Sequence, residues 1–161
     1  MNKYYFEGKT QEQAINLALY ELNISEDDLI VNNVEDKSSL LKKNVKIEVL
    51  NIKEIISFIK DTLNKITELM GAKSNLEVKR REKSISVTIF SENNAILIGK
   101  NGKNVAALQL LIRQMINSKL KEPLSIIIDV GNYKEKRARS IEYLAKKLAR
   151  EAQNKNRSNY G

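Results

Sequence analysis

Short alternations of apolar and polar residues fill the first third of the chain and enclose one helical stretch. Strands are predicted over residues 3–8, 29–34 and 45–49, where apolar and polar residues alternate or β-branched residues dominate. The stretch between the first two strands repeats at helical spacing, and Thr10 followed by Gln13 forms a capping box at its start. The order β-α-β-β predicts a small sheet covered by one helix. The apolar stripe of that helix comprises Ile15, Ala18, Leu19 and Leu22.

From Asn51 onward the pattern changes to that of a long helix. Asn51 is a suitable N-cap with Glu54 at the third helical position, and Gly71 is a natural stop. The apolar residues between them recur at helical spacing, which is typical of a face that packs into a core. They are Ile52, Ile55, Ile56, Ile59, Leu63, Ile66, Leu69 and Met70. A hairpin with strands over residues 76–81 and 84–91 follows, and its second strand has one apolar face.

Two helices and a strand complete the middle of the chain. A short helix is predicted over residues 92–98 and a longer one over 103–118, and the β-branched run 124–130 predicts a buried strand. Residues 52–131 therefore have the order α-β-β-α-α-β. Together with the small unit of residues 1–51, this order places the chain in the α+β class.

A basic amphipathic helix is predicted after residue 131, with Asn132 as its cap and Glu135 three residues later. Such a helix suits nucleic acid, a membrane surface or a partner protein. A solvated face that docks on the preceding domain is an equally good interpretation. The apolar side comprises Ile141, Leu144, Ala145, Leu148 and Ala152. Lys134 begins the basic side, and the candidate secondary surface for nucleic acid comprises Lys136, Arg137, Arg139, Lys146, Lys147 and Arg150.

The charge is unevenly distributed along the chain. Residues 1–51 contain 6 Lys+Arg against 9 Asp+Glu, a net charge of −3. Residues 52–131 contain 13 against 8, net +5, and residues 132–161 contain 9 against 3, net +6. The basic excess thus follows the N-terminal unit, which favours a polyanionic partner. A generic basic surface is the alternative.

The residue types exclude several kinds of site. The chain has no cysteine and no histidine, which excludes disulfides, zinc sites built on these ligands and histidine-based catalysis. It has no run of about 18 apolar residues and no signal-peptide segment at its start. We therefore expect a cytoplasmic protein without a cofactor, a metal or catalytic residues. The adjacent carboxylates Glu26, Asp27 and Asp28 are best explained by helix capping or solvation.

A Gly-x-x-Gly loop, residues 98–103, lies between two adjacent predicted helices. Glycine lets a phosphate approach the main chain and tolerates positive φ. The following helix offers unpaired amides and the positive end of its dipole. The P-loop does not fit, because Gly102-Lys103 is followed by Asn104, and the dinucleotide fingerprint lacks its third glycine. An ordinary turn is the alternative to a site that holds a nucleic-acid backbone. That site would comprise Gly99, Lys100, Asn101, Gly102 and Lys103.

With this loop between its paired helices, the α-β-β-α-α-β order resembles a KH domain of the bacterial type, type II. The resemblance implies that the loop clamps the backbone of about four nucleotides and that an apolar groove beside it receives the bases. Four positions match the family's loop residue by residue, namely Gly99, Lys100, Asn101 and Gly102. The groove residues that the resemblance implies are Ile96, Ile98 and Val105.

The whole chain resembles the Jag family. The segment Tyr4–Thr10 before a helix is similar to that family's N-terminal domain, and Asp129–Tyr133 leads into a basic helix as in the family. The resemblance implies a Jag N-terminal domain over residues 1–51, a KH domain over 52–131 and, over 132–161, the first helix of a single-strand-binding Arg-xxx-His domain.

The chain departs from the family pattern in two places. It has no histidine, so the Arg-xxx-His domain is truncated or absent. The family has a glycine-rich turn with phenylalanine before the last N-terminal strand, where this chain has residues 36–43 without glycine.

The family implies a bacterial cytoplasmic protein that binds single-stranded RNA. It also implies an RNA chaperone or post-transcriptional regulator linked to cell elongation and cell-wall homeostasis. Partners that it implies are a smaller KH-domain protein or a second copy, and single-stranded DNA is an alternative ligand. A competing hypothesis is a protein-interaction adaptor whose KH fold is mainly a scaffold. An enzyme acting on nucleic acid would need clustered carboxylates near the loop, where only Glu92 lies, so we expect no enzymatic activity.

Overall fold

The N-terminal unit is an antiparallel sheet of three strands with one helix on its face. The computed structural model describes residues 1–158. The strand order is β1-β3-β2, so the last strand lies in the centre. Thr10 caps the helix, since its Oγ1 accepts from the Gln13 amide, and Gln13 accepts from the Lys9 amide. The elements are β1 (Tyr4–Gly8), α1 (Gln11–Leu22), a 3₁₀ turn (Glu26–Asp28), β2 (Leu29–Asp36) and β3 (Val45–Asn51).

The second unit is also a three-stranded sheet, in the order β4-β5-β6. Its first two strands are antiparallel, whereas β5 and β6 are parallel. Helices cover one face of this sheet, as expected for a parallel crossover. The elements are α2 (Ile52–Leu69), β4 (Ser74–Arg81), β5 (Ser84–Ser91), α3 (Asn94–Ile98), a 3₁₀ turn (Lys100–Gly102), α4 (Lys103–Asn117) and β6 (Ser125–Val130). The predicted α+β class is confirmed.

Two apolar cores stabilise these units. In the first, Ala14 and Ala18 of α1 pack against the alternate residues Val45, Ile47 and Val49 of β3. The second, larger core lies between the β4-β5-β6 sheet and α2, α3 and α4. Leu50, on the opposite face of β3, belongs to this larger core. The second face of the small sheet therefore packs against the larger unit. This contact buries apolar surface beyond the small core of the N-terminal unit.

No linker separates the two units, because β3 ends at Asn51 and α2 begins at Ile52. Polar contacts also join them. The Asn32 side chain donates to the Lys119 carbonyl at 3.2 Å and accepts from the Lys121 amide at 2.7 Å. The Tyr4 hydroxyl donates to Glu54 at 2.5 Å. These contacts fix the orientation of the small unit on the larger one.

Asp28 is the most heavily paired charge at this junction. It is buried, and its carboxylate lies 2.6 Å from Arg80 Nη1 and 2.8 Å from Lys53 Nζ. The Ser25 hydroxyl donates to it as well. The Lys53 ammonium and the Arg80 guanidinium lower the pKa of Asp28 from 3.8 to about 2. The interpretation of Asp28 as a capping or solvated residue is wrong, because its carboxylate is paired with two cations. These partners lie 25 and 52 positions away in the sequence, so no local pattern indicates them.

Three further expectations are corrected. Glu54 does not complete a capping box with Asn51, since it accepts from the Asn2 amide and Tyr4 instead. Leu69 is exposed rather than buried, because Thr67 is the buried residue of the last turn and Leu69, two positions later, lies on the opposite side of the helix. The first turn of the last helix is held by Asp129, whose Oδ1 accepts from the Lys134 amide, while Asn132 has a φ of 58°.

The last helix, α5 (Tyr133–Ser158), extends away from the second unit. Every residue from 134 to 154 is exposed, including the predicted apolar side. The interpretation that this helix docks on the preceding domain is therefore wrong for the described part of the helix. Residues 159–161 of the predicted basic segment lie outside the described residues. Within residues 1–158, no helix is long and apolar enough to cross a membrane.

We predict that Asp28→Asn lowers the free energy of unfolding by about 2 kcal/mol at pH 7. Because the folded-state pKa is depressed, the ionised carboxylate stabilises the fold above pH 3.8, and this contribution disappears as the pH falls toward 2. Urea unfolding of the wild type and of Asp28→Asn should show that the difference between their free energies of unfolding decreases as the pH is lowered.

Asp27→Asn is the matched control, because the Asp27 side chain is exposed and forms no ion pair within the described residues. It should change the free energy of unfolding by less than about 0.5 kcal/mol. An Asp28→Asn effect that stays the same from pH 7 to pH 2 would contradict the ion-pair explanation.

Candidate nucleic-acid interface

The glycine loop is held between two helices that are anchored in the larger core. Leu97 of α3 is fully buried, and Val105 and Leu108 of α4 are buried one turn and two turns after the loop. The turn into α3 is fixed by Asn94, whose Oδ1 accepts from the Ser91 amide at 3.0 Å. The loop is therefore a short surface segment with both ends immobilised by packing.

Three of the four residues of the Gly99–Gly102 loop have a positive φ, and Lys100 is the exception. The φ angles are 70° at Gly99, 56° at Asn101 and 80° at Gly102. Gly99 closes α3 by donating to the Ala95 carbonyl, and Gly102 donates to the Gly99 carbonyl. The amides of Lys100 and Asn101 have no acceptor among the described residues. Two neighbouring N–H groups are thus left for an external anion.

The two glycines are required by close approach as well as by φ. A Cβ on Gly99 would lie 2.5 Å from Asn104 Cγ, and a Cβ on Gly102 would lie 2.7 Å from Tyr133 Cε1. Asn104 is itself held, since its Nδ2 donates to the Ile96 carbonyl at 2.8 Å. The loop is therefore backed by an amide on one side and by an aromatic ring on the other.

Sequence reasoning missed Asn104 and Tyr133 as supports of the loop. Asn104 follows the motif directly and was noted only because it rules out a P-loop. Tyr133 lies 31 positions after Gly102, so its contact depends on the path of β6 rather than on local pattern. The signal that could have found it is its place at the end of Asp129–Tyr133, immediately before the basic helix.

The predicted groove residues differ in how much surface they offer. Ile96 is 41% exposed and Ile98 is half-buried, so both can meet a ligand. Val105 is only 3% exposed and belongs to the large core. Val105 can therefore support the groove from beneath but offers almost no surface to a base.

Charge near the loop is positive and exposed. The side chains of Lys100, Asn101 and Lys103 all face solvent. Lys134, at the start of α5, donates through Nζ to Gln109 Oε1 at 2.8 Å, and the same oxygen accepts from the Ile128 amide. Gln109 thereby links α4, β6 and α5. Within residues 1–158, no cluster of three acidic side chains is suited to hold a metal ion.

The secondary basic surface on α5 is fully exposed. Two of its members are engaged in helical ion pairs, Arg139 with Glu135 and Lys146 with Glu142, both at 2.5 Å. The other four form no ion pair with the described residues, and they are Lys136, Arg137, Lys147 and Arg150. Because Tyr133 lies against Gly102, the helix that carries this surface begins beside the loop.

Comparison with known families agrees with this architecture. Residues 57–128 match the KH domain of KhpA/KhpB, and residues 6–50 match the Jag N-terminus. The chain belongs to the Jag family. The resemblance noted in the sequence is thereby confirmed, and α5 lies outside both matched ranges.

Curated members of the Jag family are similar to this chain over most of its length. The RNA-binding protein KhpB of Clostridium symbiosum is 29% identical over 163 residues, covering 94% of this chain and 71% of that protein. KhpB of Bacillus subtilis (strain 168) is 27% identical and covers 88% and 71%. KhpB of Streptococcus pneumoniae serotype 2 is 25% identical, and the aligned region covers 92% of this chain and 43% of that protein.

We predict that Gly102→Ala destabilises this Jag-family protein more than Gly71→Ala does. Both glycines have a φ near 80°, at 80° and 76°, but nothing lies within 4 Å of a Cβ on Gly71, whereas Gly102 faces the Tyr133 ring. Gly71→Ala should therefore report backbone strain alone, about 1 kcal/mol. Gly102→Ala should cost about 2–3 kcal/mol in urea unfolding.

A double-mutant cycle with Tyr133→Ala separates the clash from the strain. The double variant should be more stable than the sum of the two single changes predicts, because the ring is no longer in the way. Strict additivity of the two free-energy changes would show that Tyr133 does not back the loop.

Proposed function

We propose that this protein binds single-stranded RNA on the Gly99–Gly102 loop without performing chemistry on it. The observation that carries the proposal is the pair of unengaged amides at Lys100 and Asn101, presented by a glycine loop that opens α4. A phosphate can approach this backbone closely because neither glycine has a side chain. Lys100 and Lys103 supply charge that strengthens such contacts.

The bases would lie beside the loop on the exposed surface of Ile96 and Ile98. In KH-type recognition the backbone is clamped and the unstacked bases occupy an adjacent groove. The names of the KhpB relatives, which are called RNA-binding proteins, support RNA as the ligand. Val105 acts in this proposal as a packing residue beneath the groove.

The basic surface of α5 extends the proposed binding track. Its lysines and arginines add phosphate contacts that carry no sequence information, as in other nucleic-acid interfaces. Because α5 begins at the loop, a strand held at Gly99–Gly102 can continue along the helix. These contacts should set the salt dependence of binding more than its specificity.

The biological role proposed here follows from family resemblance alone. We place the protein in the bacterial cytoplasm as an RNA chaperone or post-transcriptional regulator linked to cell elongation and cell-wall homeostasis. Binding, rather than catalysis, is the activity that we assign to it.

The first test compares RNA binding by the wild type and a Lys100→Asp, Asn101→Asp variant. Fluorescence anisotropy with a labelled single-stranded RNA should show that the affinity of the variant is at least about tenfold lower. The reason is that the two new carboxylates repel the phosphate that is proposed to bind at the loop. A Lys60→Asp, Asn64→Asp variant is the matched control, since it makes the same substitutions at exposed positions of α2. It should bind within about twofold of wild type.

Salt titration and a second ligand sharpen this test. The logarithm of the affinity should fall with the logarithm of salt by roughly 0.7 for each phosphate contact on a single strand. Lys147→Gln with Arg150→Gln should reduce that slope and leave the loop-dependent binding in place. A DNA strand of the same sequence tests whether the 2′-hydroxyl matters. Equal binding by the loop variant and the wild type would reject the loop as the clamp.

A second candidate function is protein interaction, as in the adaptor hypothesis. Leu110 is 57% exposed and Leu111 is 44% exposed on the outer face of α4, next to exposed Ala106 and Ala107. Such an apolar stripe suits the same face of a second KH domain, in another copy of this chain or in a smaller KH protein.

We predict that Leu110→Arg with Leu111→Arg shifts the protein toward the monomer in sedimentation velocity, because like charges would face each other across the contact. Leu17→Arg, a similarly exposed leucine on α1, serves as the control. RNA binding that is lost only in the loop variant, and association that is lost only in the α4 variant, would separate the two functions. Identical sedimentation of all variants would reject an α4 contact between two copies of this chain.

A further inference from the structure

The turn between β2 and β3 exposes two leucines completely. Leu40 and Leu41 have relative exposures of 106% and 99%, the largest among the exposed apolar residues of the described chain. We call these two residues the leucine tip. Single exposed apolar residues are ordinary on protein surfaces. Two adjacent ones at the end of a hairpin have no packing role in the fold.

The leucine tip is held out by an ordered turn. Ser39 donates through its amide to the Lys42 carbonyl at 2.7 Å, and the Lys42 amide donates back to Ser39. Behind this turn the Lys37 amide donates to the Asn44 carbonyl at 2.8 Å. The corner positions of such turns usually carry Gly, Pro, Asn, Asp or Ser. Here the turn presents leucines at both corners.

Lysines surround the base of the leucine tip. Lys37, Lys42 and Lys43 flank it in the sequence, and Lys9 lines the same shallow cavity of about 470 Å³ as Leu41 and Lys42. Lys37 is paired with Glu35 at 3.3 Å. Lys42 and Lys43 form no ion pair with the described residues. Glu7, Glu35 and Asp36 lie in the same region, so the positive charge next to the leucine tip is that of Lys42 and Lys43.

The two ends of β2 differ in their surroundings. Its first residue follows Glu26–Asp28, where Asp28 is bound to Arg80 at the junction with the larger unit. Its last residue, Asp36, precedes the lysines and the leucine tip. Eight strand residues separate the two ends by about 25 Å. The leucine tip thus lies far from the junction and is not covered by the rest of the chain.

We propose that the leucine tip inserts into the interface of an anionic lipid bilayer and holds the N-terminal unit at the membrane surface. A convex apolar point suits a bilayer, which has no pocket to match, and lysines behind it meet anionic headgroups while their stems cover apolar surface. Two leucines and a few lysines give reversible attachment rather than permanent anchoring. This proposal goes beyond RNA binding and does not depend on it.

The test uses tryptophan as a depth reporter, because the natural chain contains no tryptophan. Leu41→Trp is mixed with vesicles of phosphatidylglycerol and phosphatidylcholine, with and without brominated acyl chains. The emission should shift to the blue and be quenched by bromine. Tyr20→Trp, at an exposed position of α1, is the matched control and should show neither effect.

The basic helix α5 is the alternative membrane contact, so Ile141→Trp is measured in parallel. Insertion of the leucine tip requires quenching of Leu41→Trp. Quenching of Ile141→Trp alone, or no vesicle binding by any variant, overturns the proposal. The second outcome would leave a protein partner as the occupant of the leucine tip.

Vesicle flotation supplies an independent measure of affinity. Leu40→Ser with Leu41→Ser should lower partitioning onto anionic vesicles by at least about tenfold, whereas Leu17→Ser with Tyr20→Ser should leave it unchanged. Lys42→Gln with Lys43→Gln should lower it by about fivefold for each charge removed. Partitioning that is equal on neutral and anionic vesicles, or insensitive to the leucines, would contradict the proposed contact.

Discussion

The absence of two Cβ atoms is the constraint on which the candidate interface depends. Gly99 and Gly102 leave room for the Asn104 amide and the Tyr133 ring, and these two side chains fill the space behind the loop. The supports come from different elements, one from α4 and one from the start of α5. The loop is thus supported by side chains that lie apart in the sequence, and its two free amides face away from them.

The charge of the N-terminal unit has two separate uses. At the junction, the Asp28 carboxylate binds Lys53 and Arg80 of the larger unit. At the far end of the hairpin, Lys42 and Lys43 flank the leucine tip. A net charge of −3 conceals this separation, because composition averages over the two ends of the same strands. Residue counts alone therefore do not reveal that the paired carboxylate lies at the junction and that exposed lysines flank the leucine tip.

Much of the fold could be predicted because it depends on local periodicity. The alternation of Ile85, Val87 and Ile89 and the cap at Thr10 each act within a few residues, and both are seen in the structure. Contacts between distant residues could not be predicted in this way. Arg80 with Asp28 and Tyr133 with Gly102 depend on how the units pack, and no local pattern encodes that packing. The loop could be found from its sequence motif, whereas the side chains that support it are recognised only in the three-dimensional structure.

The parallel pairing of β5 and β6 sets the order in which the protein can fold. Ile85 pairs with Ile126 and Ile89 with Val130, so the pairing closes a crossover of about forty residues. Such long-range contacts form late, because the entropy lost in closing the chain precedes the gain from pairing. Tyr133 follows β6 immediately, so it reaches Gly102 only after this step. During synthesis from the N-terminus, the small unit and α2 are complete while the loop still lacks its support. The contact of Tyr133 with Gly102 can therefore form only after the first turn of α5 has left the ribosome.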